Sequence, residues 1–258
     1  MNLLLLELHE LSADGHVTLR DGRAAHLRTT LHASPGHRAR VGIVDGPKGT
    51  GVVTAIEDNA VSLRCAFEPA TADVPPVDLL LAVPRPKVLK RLWAQLASLG
   101  VGRIILTNAA RVERPYFDSH VLDAATYRPL LVEGLQQAQD TRLPLVSIHR
   151  RFRVLIEDEL DALSDTQTRL VADPSADRHV RDVALVPDGR VLLAVGPEGG
   201  WSRFELELLA RHRFTTIGMG ARTLRSDTAC IALLTLVHDA CTGVGRGPSG
   251  IAPSPAVE

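Results

Sequence analysis

Residues 196–200 have the composition of a ligand-binding turn. They read Gly-Pro-Glu-Gly-Gly, follow the apolar run 192–195 and precede a helical pattern that begins near Ser202. Glycines at a strand end let the backbone approach a ligand closely and adopt positive φ. Glu198 would repel a phosphate but tolerates a cationic centre such as a sulfonium. The segment predicts a small-molecule site, although the same pattern also fits a plain turn.

A second glycine-containing turn follows closely, in residues 217–229. It runs from a short apolar segment through Gly218 and Gly220 to a helix that begins at Ser226. Free amides and the dipole at a helix N-terminus favour partial negative charge. We expect the two turns to form the walls of one pocket. The alternative is that Arg222 and Arg225 are surface charges and Ser226 only caps the helix.

Neither turn has the spacing of a phosphate-binding motif. The glycines do not match the G-x-G-x-x-G dinucleotide fingerprint, and the lysine of a P-loop is absent. A nucleotide enzyme that binds through phosphate is therefore the least favoured reading.

The elements that must position these turns alternate between apolar strands and helices, which predicts an α/β domain with a mostly parallel sheet and helices on both faces. Ligands of such sheets bind at the carboxyl ends of the strands. Pro129 is expected to kink or split its helix, Ser202 and Glu205 form a capping box, and Gly243 is expected to end the last helix. The predicted strands are 79–83, 104–106, 143–148, 169–172, 191–195 and 215–217, and the predicted helices are 87–99, 123–139, 154–163, one after residue 202, and 226–242.

The N-terminal part has a different pattern, in which short β-rich runs are separated by Asp-Gly and Asp-Asn turns. This spacing predicts a small β-barrel over residues 1–72. Residues 69–76 have the composition of a linker, so the second domain is placed at 73–244. Residues 245–258 are rich in Gly, Pro and Ser and are expected to be a disordered tail. The predicted strands of the barrel are 3–6, 16–20, 38–45, 51–57 and 61–67.

Composition limits the function classes. A hydrophobic fraction of 45% with 23% charged residues is typical of a globular protein and argues against wholesale disorder. The apolar run at residues 3–6 is too short for a signal peptide or a membrane span, so a cytoplasmic protein with no membrane partner is expected. The three cysteines lack metal-ligand spacing, which predicts buried free thiols and no metal site.

The net charge of −1 gives no overall attraction to nucleic acid, so RNA affinity would have to come from a local basic cluster. Residues 20–48 contain such a cluster, and a solvated basic face is an equally good explanation of it. The candidate RNA-binding residues are Arg23, His26, Arg28, Arg38 and Arg40, with Arg142 from the second domain.

The two turns together resemble the ribosomal RNA uridine N3 methyltransferases of the RsmE family, within the SPOUT superfamily. The resemblance is concentrated in residues 195–229, with G-P-E-G-G followed by G-A-R-x-L-R-S-D-T-A. It also includes the A-x-H-L-R element at residues 24–28. The resemblance implies a deep trefoil knot that holds S-adenosylmethionine, a PUA-like N-terminal barrel, small-subunit ribosomal RNA as substrate, and a homodimer.

The resemblance also implies site residues. Arg225 is the candidate for stabilising the uracil anion or an RNA phosphate, and Asp227 or Glu198 is the candidate proton acceptor. The structural alternative is that Glu198 orders its turn through backbone amides and that Arg225 pairs with Asp227. Cofactor contacts are expected from Val195, Gly196, Pro197, Glu198, Gly199, Gly200, Met219, Gly220, Leu224, Arg225, Ser226, Thr228 and Ala229.

Two departures from the family pattern concern the expected RNA-facing side, and a third, at residue 227, is mild. The first catalytic helix loses a lysine and two glutamates across residues 94–100, and Asp140 replaces an arginine, whereas Arg142 and Pro144 are kept. Asp227 stands where the family usually has glutamate, which shortens the side chain by one methylene but keeps its charge. Two alternatives therefore stay open: an enzyme of this fold with another RNA target, and a non-catalytic RNA-binding factor in ribosome assembly.

Overall fold

The computed structural model describes residues 3–244. The expected disordered tail at 245–258 lies outside the described residues. Over 3–244, none of the helices combines the length and apolarity that crossing a bilayer requires.

The N-terminal part forms a five-stranded sheet in the order β1-β3-β4-β5-β2. The pairing of β1 with β3 is parallel, and the other pairings are antiparallel. Its apolar side chains form a separate small core that includes Leu6, Leu27 and Val61. The elements are β1 (Leu4–Leu6), β2 (His16–Leu19), α1 (Gly22–Thr29), β3 (Arg38–Ile43), β4 (Pro47–Glu57) and β5 (Ala60–Thr71).

Two features of this part differ from the prediction. Helix α1 occupies part of the predicted basic cluster; it is capped by Asp21 and buries Ala24 and Leu27. Strand β5 continues to Thr71, into the first three residues of the stretch 69–76 that was assigned to the linker. Pro69 is tolerated there because β2 pairs with β5 only at residues 61–64, so that β5 has one neighbouring strand beyond them.

The second part is an α/β unit with a six-stranded sheet in the order β11-β9-β10-β6-β7-β8. All five pairings are parallel, as predicted. The central strands β6 and β10 are buried along their whole length, which explains the apolar sequence of β10 and that of β6 apart from Asp78, which pairs with Arg190 at 2.6 Å. The strands are β6 (Val77–Ala82), β7 (Val101–Thr107), β8 (Leu145–His149), β9 (Thr168–Ala172), β10 (Val191–Val195) and β11 (Phe214–Ile217).

The helices depart from the prediction at three places. Pro129 does not split α3, and Gly243 does not end the last helix, which runs to Val244. The predicted helix 154–163 is interrupted by a π-helical turn at Leu155–Glu159. The helices are α2 (Pro86–Ser98), α3 (Ala124–Ala138), α4 (Phe152–Val154), α5 (Leu160–Leu163), α6 (Arg203–Arg211) and α7 (Ser226–Val244).

A buried joint connects the two sheets through the loop between α3 and β8. The Asp45 amide donates to the Thr141 carbonyl at 2.8 Å, and the Thr141 hydroxyl donates to the Gly46 carbonyl at 2.7 Å. Asp140 shapes the loop by accepting the Thr141 amide at 2.6 Å. Because Thr141 is fully buried, the N-terminal sheet is held in a fixed position relative to the α/β unit.

Candidate active site

The carboxyl ends of three neighbouring strands, β10, β9 and β11, surround a cleft of about 680 Å³ including its open mouth. This position is where open α/β sheets bind ligands. The cleft is lined by Ala172, Asp173, Pro174, Val195, Gly196, Pro197, Glu198, Gly200, Ile217, Gly218, Met219, Gly220, Arg222, Thr223, Leu224, Ser226, Ala229 and Leu233.

The two predicted turns do form two walls of one cleft. Ten of the thirteen predicted cofactor contacts line it, and the remaining three, Gly199, Arg225 and Thr228, do not. The third wall, which follows β9 and contributes Asp173, was not predicted from the sequence. This wall is indicated only by the position of β9 beside β10, and that position is a property of the tertiary fold and not of the local sequence.

The first wall is the turn between β10 and α6. Gly200 has φ +73° and donates its amide to the Pro197 carbonyl at 2.8 Å, so the turn needs a residue without a side chain there. Behind the turn, Gly196 lies against the Trp201 indole, which packs on Phe152 with ring centroids 5.4 Å apart. The wall therefore has a rigid aromatic support.

The predicted capping box at the start of α6 has a second purpose. One Glu205 carboxylate oxygen accepts the Ser202 amide at 2.7 Å, and the other accepts the Ala110 amide at 2.7 Å. Arg111, next to Ala110, donates to the Gly199 carbonyl. The loop after β7 is thus tied to both ends of the turn that forms the first wall, and the carboxylate that ties it is 97% buried.

The second wall follows β11. The Gly218 amide donates to the Arg178 carbonyl at 2.8 Å, and a Cβ on Gly218 would clash with the Ala176 backbone oxygen. The third wall is ordered by Asp173, whose carboxylate accepts both the amide and the hydroxyl of Ser175, at 2.7 and 2.6 Å. The second and third walls therefore touch through backbone.

Of the candidate catalytic residues, Glu198 lines the cleft, and Arg225 and Asp227 flank the lining residue Ser226. Each has a partner. Glu198 accepts the Arg85 amide at 3.1 Å, and Arg225 lies 3.5 Å from an oxygen of Asp227. The second Asp227 oxygen pairs with Arg91 at 3.1 Å. The Arg225–Asp227 pair is the one that the structural alternative describes, whereas the amide bound by Glu198 belongs to Arg85 and not to the turn of Glu198 itself. The Arg225 side chain is 73% exposed.

The candidate RNA-binding residues are divided between free and internally bound side chains. Arg23 is enclosed by Glu10 at 2.5 Å and Asp21 at 2.7 Å. Arg40 donates to Gln139, and Arg142 donates to the Ala72 carbonyl at 2.5 Å. His26 is partly buried, with an unpaired Nε2, and Arg28 is partly buried too, whereas Arg38 is exposed.

The cysteines are free, with Cys65 and Cys230 buried and Cys241 partly buried. Burial raises the pKa of the Cys65 thiol to about 11 and, aided by the Asp227 charge, that of Cys230 to about 12, so both are protonated and unreactive near neutral pH. Within residues 3–244, no three His, Cys, Asp or Glu side chains are grouped as metal ligands would be.

Comparison with known proteins defines the class to which this fold and cleft belong. Residues 72–238 match the model of the RNA methyltransferase domain family. Ribosomal RNA small subunit methyltransferase E of Treponema pallidum is 30% identical over 240 residues, which cover 92% of this chain and 90% of that protein. A Borreliella burgdorferi protein, ribosomal RNA small subunit methyltransferase E 1, is 25% identical over 233 residues, with coverages of 90% and 95%.

A solved structure shares the whole fold. Ribosomal RNA small subunit methyltransferase E from Neisseria gonorrhoeae, bound to S-adenosyl methionine, superposes with a TM-score of 0.75 at 21% identity and covers 93% of this chain and 98% of that one. The chain belongs to the RsmE family of RNA methyltransferases.

The cleft has the chemistry that S-adenosylmethionine requires. Apolar side chains such as Val195, Ile217 and Leu233 can pack against an adenine, and the carboxylates of Asp173 and Glu198 suit its cationic and hydroxyl groups. A Cβ at Gly218 would collide with the Ala176 backbone, so the second and third walls can lie against each other only with glycine there. The residues present therefore fit this cofactor.

Proposed function

We propose that this protein uses S-adenosylmethionine to methylate N3 of a specific uridine in 16S ribosomal RNA of the small subunit. The observation that carries the proposal is the meeting of the two family turns at one cleft, at the carboxyl ends of β10 and β11. Membership of the RsmE family supplies the reaction class.

The cofactor is held by those of the thirteen residues expected from the sequence that line the cleft, together with Asp173 from the third wall. Ten of the thirteen line the cleft, and Gly199, Arg225 and Thr228 border it in the chain. When bound, S-adenosylmethionine supplies an electrophilic methyl group. The task of the protein is then to align the uridine and exclude water, because positioning provides most of the acceleration in such a transfer.

Uracil N3 carries a proton and becomes nucleophilic only when that proton is lost. Arg225, exposed at the mouth, stabilises the uracil anion as the proton leaves. Glu198 is the favoured acceptor of the proton, because it lines the cleft, whereas Asp227 does not line it and both of its carboxylate oxygens face arginines, Arg225 and Arg91.

The N-terminal sheet, as a PUA-like barrel over residues 1–72, grips RNA through His26, Arg28, Arg38 and Arg40, while Arg142 contributes from the methyltransferase domain at 73–244. Arg23 would reach RNA only by exchanging a partner, because its N–H groups already donate to Leu5, Glu10 and Asp21. Phosphate contacts of this kind give affinity without sequence information. The buried joint at Thr141 supports this role, because it fixes the distance between the barrel and the cleft.

The methyltransferase domain is proposed to contain a trefoil knot in which the segment after β11 is threaded beneath the segment after β9. The contact of Gly218 with Ala176 and Arg178 supports this threading. A homodimer and a cytoplasmic location, where ribosomes are assembled, complete the proposal by analogy with the family.

A different RNA target is the second candidate, because the departures from the family pattern lie on exposed or loop positions. Gln95 is exposed on α2, with Ser98 donating to its carbonyl at 2.9 Å, and Asp140 serves the joint between the sheets. None of these residues lines the cleft. The departures therefore concern the substrate more than the cofactor.

The test begins with calorimetric titration of the purified protein with S-adenosylmethionine, followed by methylation of small-subunit RNA with labelled cofactor and mapping of the modified base. Modification of a single 16S uridine at N3 is the expected result. A methylated nucleotide in another RNA would replace the substrate assignment, and a protein that binds RNA but not the cofactor would establish the non-catalytic alternative.

A further inference from the structure

Cationic side chains are concentrated beside the mouth of the cleft, although the chain as a whole has a net charge of −1. Four of them belong to the first half of α2 or precede it, and one follows β7. All five are exposed. This group, here called the basic rim, consists of Arg85, Lys87, Lys90, Arg91 and Arg111.

Three contacts attach the basic rim to the cleft. The backbone amide of Arg85 binds Glu198, and the Arg91 guanidinium lies 3.1 Å from Asp227, beside the first residue of α7. On the other side, Arg111 donates to the Gly199 carbonyl. The rim therefore borders the opening through which a substrate base would reach the cofactor.

The rim is electrostatically unfavourable for the helix that carries it. Cations oppose the positive end of a helix dipole, and the first turn of α2 contains no acidic residue to compensate them. Lys87 and Arg91 are also four residues apart, a spacing at which like charges repel. Among the described residues, Lys87 and Lys90 have no acidic partner. Helix α6 shows the ordinary arrangement, with Ser202 as cap and Glu205 in the first turn.

Local conflicts of this kind are expected at functional sites. We infer that the basic rim binds the phosphate backbone of the substrate RNA next to the nucleotide that is methylated. The inference rests on the proposed function and adds to it the surface where RNA enters the cleft. Lys87 and Lys90 supply the free charges, because Arg91 and Arg111 already have partners in the protein.

A bound polyanion relieves the repulsion between the cations of α2, and its phosphates contact the same cations. The rim therefore binds RNA without recognising its sequence. In the barrel, two of the candidate cations, Arg23 and Arg40, are bound internally. The rim also lies at the cleft itself, where a phosphate contact would orient the flanking nucleotide.

The test compares two double variants of the full-length protein. Lys87→Gln with Lys90→Gln removes two charges from the rim. Arg211→Gln with Arg213→Gln removes two exposed charges just before β11, at the amino edge of the sheet, and is the matched control. Binding of 16S-derived RNA is measured as a function of salt, together with S-adenosylmethionine affinity and the thermal midpoint.

We expect the rim variant to bind RNA at least tenfold more weakly at low salt. The slope of log K against log salt becomes shallower by about 1.4 to 1.8, the value for two lost phosphate contacts. Cofactor affinity stays at the parent value, and the thermal midpoint equals or exceeds that of the parent because repulsion in α2 is reduced. The control variant keeps the parent RNA affinity and slope.

An unchanged salt slope in the rim variant overturns the inference, as does an equal loss in the control variant. Failure of the proposed function has a different signature, in which the parent protein itself methylates no small-subunit RNA. If the parent protein methylates small-subunit RNA and the rim variant binds RNA with the affinity of the parent, only the inference about the basic rim is wrong and the proposed function stands.

Discussion

The carboxylate of Glu198 accepts a hydrogen bond from the backbone amide of Arg85 at 3.1 Å, although 113 positions separate them in the chain. This contact joins the turn after β10 to the N-cap residue of α2, a residue that has no side-chain cap of its own. Glu198 therefore combines a structural bond with its proposed position as proton acceptor, and substitutions can separate the two roles.

For Glu198, the Gln variant keeps an oxygen that accepts the Arg85 amide but cannot take a proton. We expect Glu198→Gln to bind S-adenosylmethionine within about threefold of the parent and to lose about 10²-fold or more in single-turnover rate. Glu198→Ala also loses the bond and should bind the cofactor more weakly. Calorimetry and rapid-quench methylation provide the two readouts. A Gln variant with the parent rate would transfer the proton-acceptor role to Asp227.

Arg225 is expected to act on the transition state and to contribute little to cofactor binding, since it does not line the cleft. Arg225→Ala should lower the single-turnover methylation rate by about 10²- to 10³-fold while leaving the affinity for S-adenosylmethionine near the parent value. Arg203→Ala, which changes an arginine that is 93% exposed on α6, serves as control and should keep the parent rate. Methylation by Arg225→Ala at the parent rate would exclude the proposed role.

The α/β unit was predictable because its strands are buried and its turns carry glycine. Apolar runs such as those of β6 and β10 mark central parallel strands, and Ser202 with Glu205 marks the start of α6. These signals lie within a few residues of one another. The Glu205 bond to Ala110 was not predictable, because it joins residues 95 positions apart.

The N-terminal sheet shows where local signals fail. Helix α1 buries only Ala24 and Leu27 on one face, too weak an apolar pattern to outweigh the charges around it, although Asp21 is a recognisable cap. Pro69 indicated a linker, yet β5 accommodates it where only one neighbouring strand remains. Asp173 was missed for another reason: the place of β9 between β10 and β11 is a property of the topology.

Gly218 offers the most direct test of the cleft. Because a Cβ at this position would meet the Ala176 backbone oxygen, which cannot rotate away, Gly218→Ala must displace either the second or the third wall. We expect cofactor affinity to fall at least tenfold in calorimetric titration. Gly22→Ala is the control, since Gly22, the first residue of α1, has open space around it and lies in the N-terminal part. Equal cofactor affinity in both variants would contradict the assignment of this cleft.

The N-terminal sheet should respond to acid through Arg23. Hydrogen bonds and charge from the Arg23 guanidinium lower the pKa values of Glu10 and Asp21 below their usual 4.5 and 3.8. A carboxyl with a lowered pKa in the folded state binds protons more readily when unfolded, so its stabilising contribution is complete above about pH 4.5. The contribution is then lost as the pH falls through the folded-state values.

Arg23→Gln should therefore lower the free energy of unfolding by about 1–2 kcal/mol at pH 7, a range that allows for the exposure of Asp21. The difference in the free energy of unfolding between Arg23→Gln and the parent should narrow at pH 3.5, because protonated carboxyl groups no longer form ion pairs with the Arg23 guanidinium. Urea unfolding followed by circular dichroism at both pH values measures it. Arg38→Gln removes an exposed arginine of the same sheet and should change stability by less than about 0.5 kcal/mol. A gap between Arg23→Gln and the parent that is the same at both pH values would mean that Arg23 stabilises the sheet by packing and not through the two carboxylates.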